Sequence, residues 1–309
     1  MPRRSSRRKD KAMHGWIILD KPLGLGSTQG VAAVKRVLRQ AGHGKVKVGH
    51  GGTLDPLATG VLPIAVGEAT KLAGRMLDSD KVYAFTIRFG EQTDTLDAEG
   101  PVIATSAVRP TPDALAAVLP RFTGPIAQVP PIYSALKVDG ERAYDLARAG
   151  EAVELKSRDV VIRALTIEAA AAAGPLDEAT LVAHVSKGTY IRSLARDIAL
   201  ALDTVGHVTM LRRVRAGPFD LSGAITLDKL NEMGQARALE QILLPLRAGL
   251  DDIPALALSP DQAGALRQGR VLVGVHADDG AAFAMLDSAP VALVDVIAGE
   301  VRVVRGFNL

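Results

Sequence analysis

Cysteine is absent from all 309 residues, which excludes disulfide frameworks, thiolate nucleophiles and cysteine-ligated zinc. No stretch approaches the roughly 18 consecutive apolar residues of a membrane-spanning helix. The basic start of the chain is followed only by Trp16-Ile17-Ile18-Leu19 before Asp20, too short a run for a signal-peptide core. The sequence thus predicts a soluble, unprocessed protein suited to a reducing cytoplasm. Several chemical signatures are missing as well. There is no glycine loop ending in Gly-Lys-Ser/Thr, no Gly-x-Gly-x-x-Gly after the first strand and no Gly-x-Ser-x-Gly elbow, and the six histidines form no ligand pair. Nucleotide hydrolysis, hydride transfer, serine-type acyl transfer and zinc chemistry lose their support. A reaction run by a carboxylate without cofactor or metal remains open.

What is present supports a sizeable core. With 48% hydrophobic residues, a chain of this length is expected to form one large domain plus a small appendage. Charge is nearly balanced, 37 basic against 34 acidic residues, which argues against a polybasic scaffold or a disordered solvating chain. The excess is concentrated at the start, where Arg3, Arg4, Arg7, Arg8, Lys9 and Lys11 face only Asp10. Such an arm suits a phosphate backbone or an anionic membrane surface, and equally a solvated tail. A composition change near Leu250-Asp251-Asp252 divides the chain into an arm at 1–14, a large domain at 15–250 and a small module at 251–309.

The most constrained stretch is Gly49-His50-Gly51-Gly52-Thr53-Leu54-Asp55-Pro56-Leu57-Ala58-Thr59-Gly60. Its glycines permit positive φ and close backbone approach, and Pro56 restricts the dihedrals on both sides of its bond. The segment holds one acid, Asp55, still. That acid is either a turn former bonded to nearby amides or a reactive group aimed by its loop, and spacing alone leaves both readings standing.

Around it, Gly15–Pro22 reads as a buried strand ended by Lys21-Pro22. A helix follows, with Ser27 or Thr28 as cap, Val31, Val34 and Leu38 inward, Gly42 as terminator, and Lys35, Arg36 and Arg39 outward. Val61–Gly67 is apolar extended chain or an irregular turn, and Glu68–Leu77 is helical. Lys81–Phe89 alternates as a strand with Tyr83, Phe85, Ile87 and Phe89 on one face. The acids of Thr93–Gly100 read as a surface turn, and Thr111-Pro112 caps a short helix. Tyr133, Lys137, Arg142, Tyr144 and Arg148, the last three on a helix over Glu141–Ala149, combine aromatic and basic character suited to stacking on bases and gripping phosphate. Strands at Val160–Ile167 and Ala179–Val185 lead into a helix whose apolar face is Ile191, Leu194, Ala195, Ile198 and Leu202. Arg192 then stands in the first turn, where the helix dipole disfavours a cation by about 0.3–1 kcal/mol. It needs a partner, and Asp55 would serve, held ionised and oriented by the pairing. After a strand at His207–Arg215 and short helices, the last 60 or so residues predict strands at Pro254–Leu258, Val271–Val275, Ala281–Leu286, Val291–Ile297 and Val301–Val304 with one helix at Pro260–Gln268, a β-barrel-like module.

Gly49 to Pro63 together with Gly67-Glu68-Ala69-Thr70-Lys71 closely resembles the catalytic motif of bacterial tRNA pseudouridine synthases of the TruB type. Leu19-Asp20-Lys21-Pro22, Lys81-Val82-Tyr83, Gly90 to Thr95, Pro131 to Lys137 and Ser186 to Arg192 resemble that family's other blocks in the same order, over roughly residues 15–217. The resemblance implies an α+β fold with a mixed, largely antiparallel central sheet flanked by helices and a small PUA-type RNA-binding module. It implies isomerisation of uridine-55 in the T loop of tRNA to pseudouridine by base flipping, without cofactor, metal or obligate protein partner, by a monomer. Residue by residue, Asp55 would attack the sugar or remove its 2′ proton, and Arg192 would pair with it. Tyr83 would stack on the base and assist the final proton transfer, and Tyr190 and Leu211 would line the base pocket. His50 would fill the space left by the flipped nucleotide, and Lys21 would support the site or a phosphate. A non-catalytic tRNA-binding factor and a guide-RNA-dependent synthase are the competing expectations; the short C-terminal region without a long basic tail speaks against the latter.

Overall fold

Alternating and continuous apolar runs build one large sheet, and its centre carries the glycine loop. In the computed structural model, β1 (Gly15–Lys21), α1 (Ser27–Gln40), β2 (Val48–His50) and β3 (Ala58–Val66) come first. A 3-10 turn at Gly67–Leu72 and α2 (Ala73–Asp78) lead to β4 (Lys81–Phe89), the hairpin β5 (Glu91–Thr93) and β6 (Val102–Thr105), α3 (Pro112–Val118) and β7 (Gly124–Gln128). The small hairpin β8 (Lys137–Val138) and β9 (Glu141–Arg142) precedes α4 (Ala143–Arg148). Then follow β10 (Arg158–Ala170), β11 (Glu178–Val185), α5 (Ile191–Ala201), β12 (Gly206–Ala216), β13 (Phe219–Asp220) and α6 (Leu227–Gln235). The chain ends with β14 (Ala255–Ala257), α7 (Pro260–Arg267), β15 (Gly280–Leu286), β16 (Ala289–Ile297) and β17 (Glu300–Gly306). The structure describes residues 13–134, 136–138, 140–149 and 155–309, without the side chains of 137, 138, 142, 144, 147 and 148. The basic arm up to residue 12 and the side chains of Lys137, Arg142, Tyr144 and Arg148 therefore lie outside the described residues.

The central sheet runs β1-β3-β12-β4-β11-β10-β7, with β2 paired to the far end of β3 and β13 to β12. All pairings are antiparallel except β3 with β12. Pro63 is tolerated inside β3 because it falls between the stretch that pairs β12 (58–60) and the stretch that pairs β2 (64–66), where no ladder bond needs its missing N–H. One face of the sheet carries the main core. Phe85, Ile87 and Phe89 of β4 pack there with Ile191, Leu194 and Ile198 of α5 and Val34 and Leu38 of α1. Tyr83 is the partly buried end of the same row, so the alternation read from sequence places it where the core opens.

The C-terminal module is an open four-stranded sheet, β14-β15-β16-β17, and not a closed barrel. The strand expected at Val271–Val275 is absent: only Leu272 bridges β17, exchanging backbone bonds with Val301 of 2.8 and 3.1 Å. The module shares a buried cluster with the large sheet, Phe283, Met285 and Phe307 joining Trp16, Ile18 and Phe219. Two further differences are local. α4 begins at Ala143 after a hairpin instead of at Glu141. α1 is capped by Gly26, whose N–H donates to the Gln29 side chain at 2.7 Å; Ser27 is drawn away to another task.

Candidate active site

That task is to hold the glycine loop. The Ser27 hydroxyl accepts from Leu54 N at 2.7 Å and donates to Leu54 O at 3.0 Å, stitching the residue before Asp55 to the start of α1. From below, Lys21 at the end of β1 is fully buried. Its ammonium donates to the carbonyls of Pro22 (3.1 Å), Leu25 (2.5 Å) and Pro56 (3.3 Å). Burial pulls the Lys21 pKa down to about 8, with Arg213 acting the same way and Asp55 opposing. Its donors are spent on backbone, so it supports the loop and does not reach outward.

Arg213 of β12 secures the other side. It is 1% exposed, and its guanidinium donates to Val61 O (2.7 Å), Thr53 O (3.2 Å) and Gly52 O (3.1 Å). One planar fork thus binds the loop both before and after Asp55. The backbone approach is equally close. Gly60, at φ +98°, faces Arg213 across the parallel seam, and a Cβ there would lie 2.2 Å from the Arg213 carbonyl oxygen, so only glycine fits. Gly51 is excluded from carrying a side chain by Met76, 2.5 Å from where its Cβ would stand.

Asp55 remains 43% exposed, and Arg192 is 8% exposed behind it, with Nη2 2.9 Å from Asp55 Oδ2. The cation that the helix dipole would disfavour is surrounded by acceptors. Its Nη1 lies 3.3 Å from Asp97 Oδ2 and donates to Thr95 O at 2.9 Å, and Nη2 donates to Tyr133 O at 2.9 Å. Asp97 is 2% exposed, which corrects the surface-turn reading of Thr93–Gly100. Leu96 and Asp97 fold inward because Leu96 O accepts from Val208 N of β12, and the Asp97 carboxylate accepts from Thr95 Oγ1 and Glu99 N. Burial, then Asp97 and Asp55, raises the Glu99 pKa.

These groups open onto a cleft of about 320 Å³ lined by Asp55, Tyr83, Tyr190, Arg192, Leu211 and Arg213 among others, near the lower end of the range for small-ligand pockets. Five of the seven residues singled out from sequence therefore meet at one cleft. Tyr190 is fixed by its backbone. Gln128, fully buried on β7, accepts from Tyr190 N at 2.8 Å and donates to Tyr190 O at 3.2 Å. Burial raises the Tyr190 phenol above its usual pKa. His50 and Lys21 stand outside the lining. His50 sits on β2 with Nδ1 accepting from Gly52 N at 3.4 Å, and burial followed by Arg213 lowers its pKa. Sequence reasoning missed Ser27, Asp97, Gln128 and Arg213. Each acts through backbone groups or a buried charge that periodicity does not register, although strand alternation, which places Arg213 on the same face as Leu211, was a signal for Arg213.

The same fold occurs in a chain of a solved H/ACA RNP bound to a substrate RNA containing 2′-deoxyuridine, at a TM-score of 0.71 and 24% identity over 96% of this chain and 85% of that one. It occurs again in a Cbf5-Nop10-Gar1 complex, at a TM-score of 0.68 and 26% identity over 92% and 78%. A family model described as TruB family pseudouridylate synthase (N terminal domain) matches residues 35–191, and one described as tRNA pseudouridylate synthase B C-terminal domain matches 192–251. Similar sequences named tRNA pseudouridine synthase B come from Novosphingobium aromaticivorans, 68% identical, and Zymomonas mobilis, 61% identical, each covering 96% of this chain and 97% of the relative. The fold is that of a pseudouridine synthase. The chain belongs to the TruB family. The two family models meet within the first turn of α5, and the second returns through β12 to the centre of the same sheet, so their junction is no break in the fold.

Proposed function

We propose that this protein converts uridine-55 in the T loop of tRNA to pseudouridine, and that Asp55 is its catalytic acid. The observation that carries this reading is a half-exposed carboxylate at the cleft, held by a buried arginine within a loop pinned on three sides. The base leaves its stack at a cost of a few kcal/mol, which stacking on Tyr83 at about 1–3 kcal/mol per base offsets. The Asp55 carboxylate attacks the sugar or takes its 2′ proton as the bond from C1′ to N1 breaks. The uracil turns and its C5 joins C1′ as the carboxylate leaves C1′ or the 2′ proton returns to the sugar; the C5 proton is then lost, with Tyr83 assisting that transfer, and N1 takes up a proton. Tyr190 and Leu211 hold the ring, and His50 fills the space the nucleotide vacates. Residues 251–309 act as a PUA-type module extending the grip on tRNA, residues 15–250 form the catalytic domain, and the arm at 1–14 adds phosphate contact. The enzyme works as a monomer in the cytoplasm and uses no guide RNA. Among the described residues no helix is long and apolar enough to cross a membrane.

The test is to map modified uridines in tRNA and in an isolated T-arm hairpin incubated with the pure protein alone. Wild type is expected to modify position 55 in both. Asp55→Asn is expected to abolish the product while tRNA affinity stays within a few-fold. Turnover by that variant would refute the assignment.

A further inference from the structure

A second cleft, larger than the first at about 770 Å³, lies between α1, the approach to β2 and the start of α2. Its rim carries Lys35 and Arg39 from α1 and Lys45 and Lys47 from the following segment, above a floor that includes Leu38 and Val46. All four cations are exposed, and among the described residues none of them pairs with a carboxylate. Elsewhere on the described surface Arg75, Arg88, Arg109, Arg163, Lys187, Lys229 and Arg302 have an acid partner, and Arg121, Arg237, Arg247, Arg267, Arg270 and Arg305 are exposed without one; this cleft differs in gathering four such cations around one concavity. Four uncompensated charges on a chain of net charge +3 form a local field that favours a polyanion.

Position argues for which polyanion. β2 runs from this cleft into His50 and the Asp55 loop. Val48 pairs with Val66 at one end of β3, and Ala58 beside the loop marks the other. The linings of the two clefts come closest at Gly49 and Gly52, and the eight residue steps of β3, at ~3.3 Å each, put their far ends roughly 25 Å apart. One flipped nucleotide occupies the first cleft, whereas a continuous RNA reaches both. Four cations spread over two segments also exceed what one phosphate engages, and an apolar floor suits sugar faces between successive phosphates.

We infer that this basic cleft is a second RNA site, which binds the phosphodiester backbone of the substrate tRNA outside the T arm. This rests on the proposed function and extends it, since the catalytic cleft then chooses the nucleotide while the second site selects an intact tRNA over a loose hairpin.

The four-fold variant Lys35→Ala, Arg39→Ala, Lys45→Ala, Lys47→Ala removes only exposed side chains, and its melting curve checks the fold. Binding of full-length tRNA is measured across a series of KCl concentrations. The expected result is a loss of ten-fold or more at moderate salt. The slope of log K against log salt should fall by about 3, at ~0.7–0.9 per phosphate contact. Binding of the isolated T-arm hairpin should change less than two-fold, and the swap Lys35→Arg, Lys45→Arg, Lys47→Arg should keep wild-type affinity. An unchanged affinity and slope with full-length tRNA would overturn the inference, as would equal losses on tRNA and hairpin. The two readings separate in one assay. If wild type forms no pseudouridine, the proposed function fails; if it does and the four-alanine variant binds tRNA like wild type, only the second site fails.

Discussion

Replacing Arg213 with lysine keeps the buried charge and removes the fork, which makes it the sharpest test of how the loop is aimed. The guanidinium holds Val61 O, Thr53 O and Gly52 O together; a single ammonium on a shorter stem retains about one of these. Two charge-assisted hydrogen bonds at about 1.5–3 kcal/mol each set an upper bound near 6 kcal/mol. Gly52 and Thr53 line the cleft, so water recovers part of that loss, and a net destabilisation of about 3 kcal/mol is expected. At ~2.1 cal/mol/K per residue, a chain of this length lowers its Tm by about 5 °C for that loss. The catalytic effect should be larger than the thermal one. Displacement of the Asp55 carboxylate by about 1 Å costs on the order of 100-fold in rate. Binding of tRNA depends on surface far from this fork. Release of tritium from C5-labelled uridine in tRNA reports turnover, and the variant should lose about 100-fold in kcat with KM within three-fold. A folded variant with wild-type kcat would refute the idea that Arg213 sets the aim of the acid.

Asp97→Asn leaves the Arg192 guanidinium with one carboxylate in place of two; kcat should fall ten-fold or more in the tritium assay while the isolated helix content by circular dichroism stays constant. Lys21 and Lys81 give a pH signature. Burial brings both pKa values to about 8 in the folded protein, against 10.5 for an ordinary exposed lysine. Between those values the unfolded chain binds more protons, so this contribution to stability rises from about pH 8 to pH 10.5 and is lowest below pH 8. Urea midpoints of wild type and of Lys21→Met at pH 7.5 and 9.5 check this: the wild-type value should gain on the variant at the higher pH.

Much of the frame was legible because it follows from side-chain period. The row Tyr83, Phe85, Ile87, Phe89 and the α5 face at Ile191, Leu194 and Ile198 bury as alternation and helical spacing require. The Arg192 pairing was legible for an electrostatic reason, a cation at the wrong end of a helix. Other features were not. Asp97 looks like any acid in a polar loop, and only the tertiary bond from Val208 N to Leu96 O turns it inward. Ser27 looks like a cap because its sequence position is a cap position, but the hydroxyl finds the Leu54 backbone instead. The stretch at Val271–Val275 has strand composition without a full neighbouring edge, so one bridge at Leu272 and one bond from Val275 N to Gly299 O form in place of a ladder.

Trp16 is the single tryptophan of the sequence. Its ring lies 5.3 Å from that of Phe219, its indole N–H donates to Leu246 O at 3.2 Å, and its cluster includes Phe283, Met285 and Phe307 of the C-terminal sheet. The molecule therefore carries its own fluorophore at the seam between its two sheets. Emission from that one ring, with no competing indole to subtract, gives a label-free record of whether the seam stays closed when RNA arrives.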